Sequence, residues 1–194
     1  MSSKKKAKDK KRSKDALARV EQALEGLCVE VGALRRRVEA LDGSVAMTTS
    51  EIIDFLDGYR VAEATAATGL GAWIAASDTD CLRGGLRVVQ LREASHAKLF
   101  EERIKELGGS PKAEASEELE AFLIGTLGDP DKSDADKLQA FVAQAGDPKV
   151  LEQLESFAAR MDADQETQFL LRAVIEDERA SLALVKQACE LLCG

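Results

Sequence analysis

Apolar positions recur at helical spacing from residue 16 onward, and they do so in two distinct ways. The series Leu17, Val20, Leu24, Leu27, Val31, Leu34, Val38 and Leu41 alternates steps of three and four without a break. That 3.5-residue period over about four heptads predicts a coiled-coil helix across residues 16–43. With Leu17 at an a position, Glu30 and Arg37 fall at g, and Arg35 and Asp42 at e. A parallel second copy then sets Glu30 against Arg35 and Arg37 against Asp42, both attractive pairs. The segment is therefore expected to make a homo-oligomer; folding back on its own domain is the other use of the same stripe. Gly26 and Gly32 each weaken this helix by roughly 1 kcal/mol.

After the break at Leu41-Asp42-Gly43-Ser44 the stripes become shorter and separated by turns. Thr48-Thr-Ser-Glu51 spells a capping box, opening a helix whose stripe is Ile52, Leu56, Tyr59, Glu63, Ala66, Leu70 and Trp73. The turn Ser77-Asp-Thr-Asp80 leads into a second helix with Leu82, Leu86, Val89, Glu93, His96, Phe100, Ile104 and Leu107 on one face. So short a turn predicts an antiparallel hairpin, and Gly108-Gly109 ahead of Ser110-Pro111 marks its end. Residues 109–133 read as a crossover with a short helix around Ser116–Leu127 and the turn Gly128-Asp-Pro-Asp131. A further helix starts at Ser133-Asp-Ala-Asp136, is interrupted at Gly146-Asp147-Pro148 and resumes to about Met161. The last helix, from about Gln165 to Leu192, carries Leu171, Val174, Glu178, Ser181, Val185, Ala188 and Leu192 inward.

Polar side chains interrupt three of these faces. Glu63, Glu93, His96 and Glu178 occupy positions where the pattern demands apolar residues, and His96 is the chain's one histidine. A buried charge without a partner costs more than packing returns, so these four need company. Glu93 and His96 form Glu-x-x-His, the i, i+3 unit by which carboxylate-bridged bundles hold metal. A weak internal repeat at an offset of 85 residues lays Leu86-Arg-Val-Val and Glu93-Ala-Ser-His96 over Leu171-Arg-Ala-Val and Glu178-Arg-Ala-Ser181. In that repeat His96 is answered by Ser181 and Glu63 by Pro148.

Composition narrows the class. Three prolines, few aromatics and many Ala, Leu, Glu and Lys residues predict an all-α protein. No apolar run reaches membrane-span length, and the polar start is unlike a signal peptide. Cys28, Cys81, Cys189 and Cys193 lack zinc-type or Cys-x-x-Cys spacing and read as reduced thiols of a cytoplasmic protein. Residues 1–14 hold eight Lys or Arg against one Asp, a charge of +7 that leaves −15 for the rest of a chain of net −8. Residues 1–15 are expected to be a disordered tail, either a solubilising arm or a weak contact for nucleic acid or another anionic partner through residues 3–14.

The wording EASHAKLFEERIKELGG in the second hairpin helix and IEDERASLAL in the last resembles the ferritin-like superfamily, closest to rubrerythrin-type bundle proteins, over about residues 48–192. The resemblance implies a four-helix bundle across residues 48–194, two antiparallel hairpins joined by a crossover, and a site for iron or manganese. By position Glu63, Glu93 and His96 match a complete first half-site, and Glu178 matches the glutamate of the second. The third-helix glutamate has no clean match, Glu152 and Glu155 being nearest. The implied function is a metal protein handling iron, oxygen or peroxide at an incomplete di-metal site, ferroxidase- or peroxidase-like if that site works. Lacking a Cys-x-x-Cys electron-transfer module, such a cycle needs an external donor. The alternative is a metal-free scaffold oligomerised by its coiled coil, with Glu93 and His96 held in a buried network with Glu63 and Tyr59.

Overall fold

A computed structural model describes residues 46–145 and 148–193. Among these there are six helices and no strand: α1 (Thr49–Ala76), α2 (Asp80–Glu106), α3 (Glu117–Leu127), α4 (Asp134–Ala145), α5 (Pro148–Ala159) and α6 (Gln165–Cys193). The chain is therefore all-α, as its composition implies. The expected tail at 1–15 and coiled coil at 16–43 lie outside the described residues. So does the Gly146-Asp147 step that separates α4 from α5.

Helix ends form where the local chemistry satisfies their orphan backbone groups. Thr48 and Glu51 form the reciprocal capping box: Glu51 N–H donates to Thr48 Oγ1 at 3.3 Å and Thr48 N–H to Glu51 Oε2 at 2.8 Å. Ser116 and Ser133 accept in the same way from Leu119 and Asp136, and Asp164 accepts from Thr167 at the start of α6. At the end of α2, Gly108 takes a φ of +81°, and Gly109 N–H and Gly108 N–H return to Ile104 and Lys105 carbonyls at 2.9 and 3.0 Å. That is a Schellman ending, and only glycine enters it without strain.

The α1–α2 hairpin is the central pair. Helix α6 packs on α2, α4 and α5 both pack on α6, and α3 lies along α1. Phe141 of α4 meets Trp73 near the end of α1, while Phe157 of α5 stacks on Phe55 near its start, with ring centroids 3.9 Å apart. Helices α4 and α5 thus cover successive lengths of α1. Leu70, Trp73, Leu82, Leu86, Val89, Leu138 and Val185 form one buried cluster. Burial of Leu, Phe or Trp side chains at about 1.5–3 kcal/mol each supplies the driving force of assembly. The predicted stripes of α1 and α2 face inward, but the α6 stripe ends early: Leu192, expected inside, is 38% exposed. No described helix is long and apolar enough to cross a membrane.

Polar ties fix how these helices meet. Asp134, at the start of α4, accepts from Trp73 Nε1 at 2.8 Å and from Ser77 Oγ at 2.7 Å, joining α4 to the hairpin turn. Asp57 of α1 accepts from the backbone N–H groups of Lys112 and Ala113, both at 2.7 Å, and holds the crossover loop down. Burial alone would raise both carboxyls. The hydrogen bonds outweigh it and hold them below the usual range, through Ser77, Trp73 and Thr79 for Asp134 and through Ala113, Lys112 and Arg60 for Asp57. A depressed folded-state pKa gives stability that is present above the unfolded value, about 3.9, and is lost as pH falls through the folded one. Asp134→Ala should cost about 1–3 kcal/mol in urea unfolding at neutral pH and flatten the acid limb of the stability profile. An unchanged midpoint would mean that the tie contributes nothing.

Candidate metal centre

Glu63 comes from α1, Glu93 and His96 from α2, and Glu178 from α6, each from its helix's inward stripe. Helical spacing places Glu93 and His96 on one face, and the packing of α6 on α2 brings Glu178 opposite. One donor atom from each of the four lies within 4.8 Å of all the others. Glu63, Glu93 and His96 are buried, and Glu178 is half-buried. The structure therefore brings together all four residues singled out in the sequence.

The imidazole is the hub. His96 Nδ1 lies 3.4 Å from Glu63 Oε2 and 3.3 Å from Glu178 Oε1, and Nε2 lies 3.2 Å from Asp177 Oδ2. One Nδ1 hydrogen serves only one acceptor well, and the aligned contact is the one to Glu63. Glu178 Oε1 is consequently enclosed with no hydrogen-bond partner. Burial pushes the Glu93 carboxyl up to about 10, helped by a hydrogen bond with Glu63 and by the charges of Glu63 and Glu178, so the metal-free site holds it as a neutral acid. Burial works against protonated His96, but contacts with Glu178, Glu63 and Asp177 overcome it and raise the imidazole to about 10. Tyr59, beside Glu63 and Glu178, is likewise raised, first by burial and then by those charges.

Two participants escaped the sequence reading. Asp177 receives His96 Nε2, and Arg92 lies 3.7 Å from Asp177 through Nε while Nη1 donates to Ser181 Oγ at 3.1 Å. The 85-residue offset equates Arg92 with Asp177 as well as His96 with Ser181. The contacts cross accordingly, Asp177 reaching back to His96 and Arg92 reaching forward to Ser181. Opposite charges at equivalent repeat positions were visible in the sequence, one residue before each glutamate, but off the inward stripe. Among the described residues no third-helix carboxylate enters the cluster. Glu152 and Glu155 are exposed, and Glu155 pairs with Arg179 instead of entering the site. Both point away because the α5 face that packs is the one bearing Leu154, Phe157 and Ala158.

The donors fit a metal ion. Three carboxylates and one imidazole suit iron or manganese. The ring nitrogen not facing the cluster is held by Asp177, the outer-shell arrangement that orients a ligating histidine. Glu178 Oε1 is a buried acceptor that no protein donor meets in an aligned hydrogen bond, its ion-pair neighbour being His96 Nδ1 at 3.3 Å.

The metal-free chain should be pH-sensitive in a defined direction. Glu93 and His96 both have folded-state values, about 10, above their ordinary values of 4.5 and 6.5. Their stabilising contribution is complete below the ordinary values and is lost as pH rises toward the folded ones. Urea midpoints in chelator should fall steadily between about pH 6 and pH 10, and Glu93→Gln should make that fall shallower. Midpoints that stay level over this window would contradict the protonated cluster.

No protein-family model, curated protein or solved structure is significantly similar to the chain.

Proposed function

We propose that the chain is a ferritin-like helical-bundle protein that holds one iron or manganese ion at Glu63, Glu93, His96 and Glu178 and handles iron, oxygen or peroxide there. The observation that carries this reading is the convergence of four donor atoms within 4.8 Å, in a cluster where Glu178 Oε1 is buried and short of a hydrogen bond. Glu63, Glu93 and Glu178 give oxygen donors, and His96 gives Nδ1 while Nε2 stays on Asp177. The ion would supply electron exchange with oxygen or peroxide. Ligation requires Glu93 and His96 to release their protons, so uptake is coupled to pH. The stoichiometry is unequal by design of the residues: Ser181 and exposed Glu152 and Glu155 leave a second ion without its nitrogen and its third-helix carboxylate.

Purified full chain, stripped with chelator and reloaded with ferrous or manganous ion, should retain about one ion per chain by elemental analysis after desalting. His96→Ala should reduce this to background. Wild-type protein at background after loading would overturn the reading. About two ions per chain would show that a ligand has been misplaced.

A second reading draws on the protons. A neutral Glu93 hydrogen-bonded to Glu63, and a charged His96 among three carboxylates, satisfy most of the cluster without an ion. The chain is then a metal-free scaffold, and His96→Ala alters unfolding by a few kcal/mol at most while metal stays at background in every variant. In either case we propose that residues 16–43 assemble copies of the chain and that residues 3–14 touch an anionic partner. Deleting residues 1–44 should lower the sedimentation coefficient to that of a smaller oligomer or monomer; an unchanged oligomeric state would exclude the heptads as the assembly device.

A further inference from the structure

Beside Glu93, Glu178 and Ser181 there is a pocket of about 110 Å³, partly open to solvent, between α2, α4, α5 and α6. Glu93, Glu178 and Ser181 line one part of it, and the other five lining residues are apolar, among them Val89, Phe141 and Leu182. Its volume would hold a few waters at roughly 30 Å³ each. Water needs two to four polar partners, and this lining offers few. Glu93 is engaged with Glu63, and the oxygen of Ser181 is taken by Arg92. An apolar engineered cavity of about 150 Å³ holds benzene, so this somewhat smaller space suits a molecule of about five heavy atoms.

We propose that this pocket binds a compact aliphatic alcohol, its alkyl body against Val89, Phe141 and Leu182 and its hydroxyl between Glu178 and Ser181. The head group follows from what the polar lining has to offer. Glu178 presents carboxylate oxygen and accepts, whereas Ser181, with its oxygen already receiving Arg92, gives its proton. A hydroxyl meets both demands, an amine meets only the first and a ketone only the second. The body follows from the walls, where a charged or strongly hydrated group would lose water without replacement. The proposal goes beyond the metal reading and does not rest on it, because the pocket is formed by the protein alone.

The test uses the full chain in chelator, so that metal occupancy plays no part, with isobutanol as the probe and methyl-resolved NMR as the readout. Val89, Leu182 and Val185 methyl signals should shift saturably, with a Kd of about a millimolar, while Ile52 and Leu56 signals stay in place. Leu182→Phe, which fills the pocket from its half-buried rim, should weaken binding about tenfold or more. If that variant fails to fold, Leu151→Phe from the facing wall replaces it. Shifts that do not saturate, that spread equally to Ile52 and Leu56, or that keep wild-type affinity in a folded filled variant would overturn the proposal. Metal retention is read separately, in the reloading assay without chelator: saturable isobutanol binding with metal at background there would sustain the pocket and remove the metal reading, and the reverse pattern would do the opposite.

Discussion

Three carboxylates around one imidazole inside a helical core set the terms for the rest of this molecule. Burying a single uncompensated charge costs several kcal/mol after relaxation. A domain of this size has only about 5–15 kcal/mol of net stability in total. Glu63, Glu93 and Glu178 therefore cannot all stand ionised in the core without positive charge among them. His96 supplies one such charge and Arg92 another at the margin, and Glu93 resolves the remainder by keeping its proton. A divalent ion would replace those protons at the same place. Protons and the proposed metal would thus be alternative answers to one electrostatic demand, and uptake of the ion would be linked to the cluster's pH response.

The asymmetry of the site has a structural counterpart. On the side where the repeat keeps its histidine, α1, α2 and α6 are long helices that carry their donors in mid-span. On the side where Ser181 answers His96, the chain is divided into α4 and α5, and the position answering Glu63 is the proline that opens α5. Proline suits the first turn of a helix, where its missing N–H is not needed. A helix start thus answers Glu63 in the repeat, and apolar side chains from α4 and α5, Phe141 and Leu151, line a pocket beside Ser181. Arg92 bonds to Ser181, the residue standing where a second imidazole would be.

Much of this was legible because a polar residue on an apolar stripe is conspicuous. Glu63, Glu93, His96 and Glu178 interrupt otherwise regular steps of three and four, and packing those stripes together brings the four into one place. The hairpin, the crossover helix, the capping box at Thr48 and the glycine ending at Gly108 were legible for local reasons, since each is specified by residues within a few positions of itself. Asp177 and Arg92 were not, because they sit off the stripes and look like any solvated charge until α2 and α6 are set side by side. Asp57 and Asp134 were missed on the same ground: each acts on backbone or side-chain groups more than fifty positions away. Leu192 misled because a periodic pattern does not reveal where the partner helices stop.

Those off-stripe residues also explain why the donors meet at such short range. Arg103, near the end of α2, donates to Thr167 Oγ1, Asp164 Oδ1 and Glu166 Oε2, each at 2.8 Å, and so fixes α2 against the first turn of α6. Asp134 fixes the opposite end of the hairpin against α4. Arg103 follows His96 by seven positions, about two helical turns or 10 Å. Over that length a helix is stiff, and a displacement at the pinned end is transmitted to the site as a whole. The Arg103 contacts therefore set the register of α2 against α6, and Val89 and Phe100 are buried on either side of Glu93 and His96. The carboxylates are held together despite their mutual repulsion because the helices bearing them are fixed elsewhere. Donors on rigid elements, braced by neighbours that take no part in the chemistry, are what a preorganised site requires. Protons on Glu93 and His96 relieve the crowding, and the ion proposed for this site would take their place.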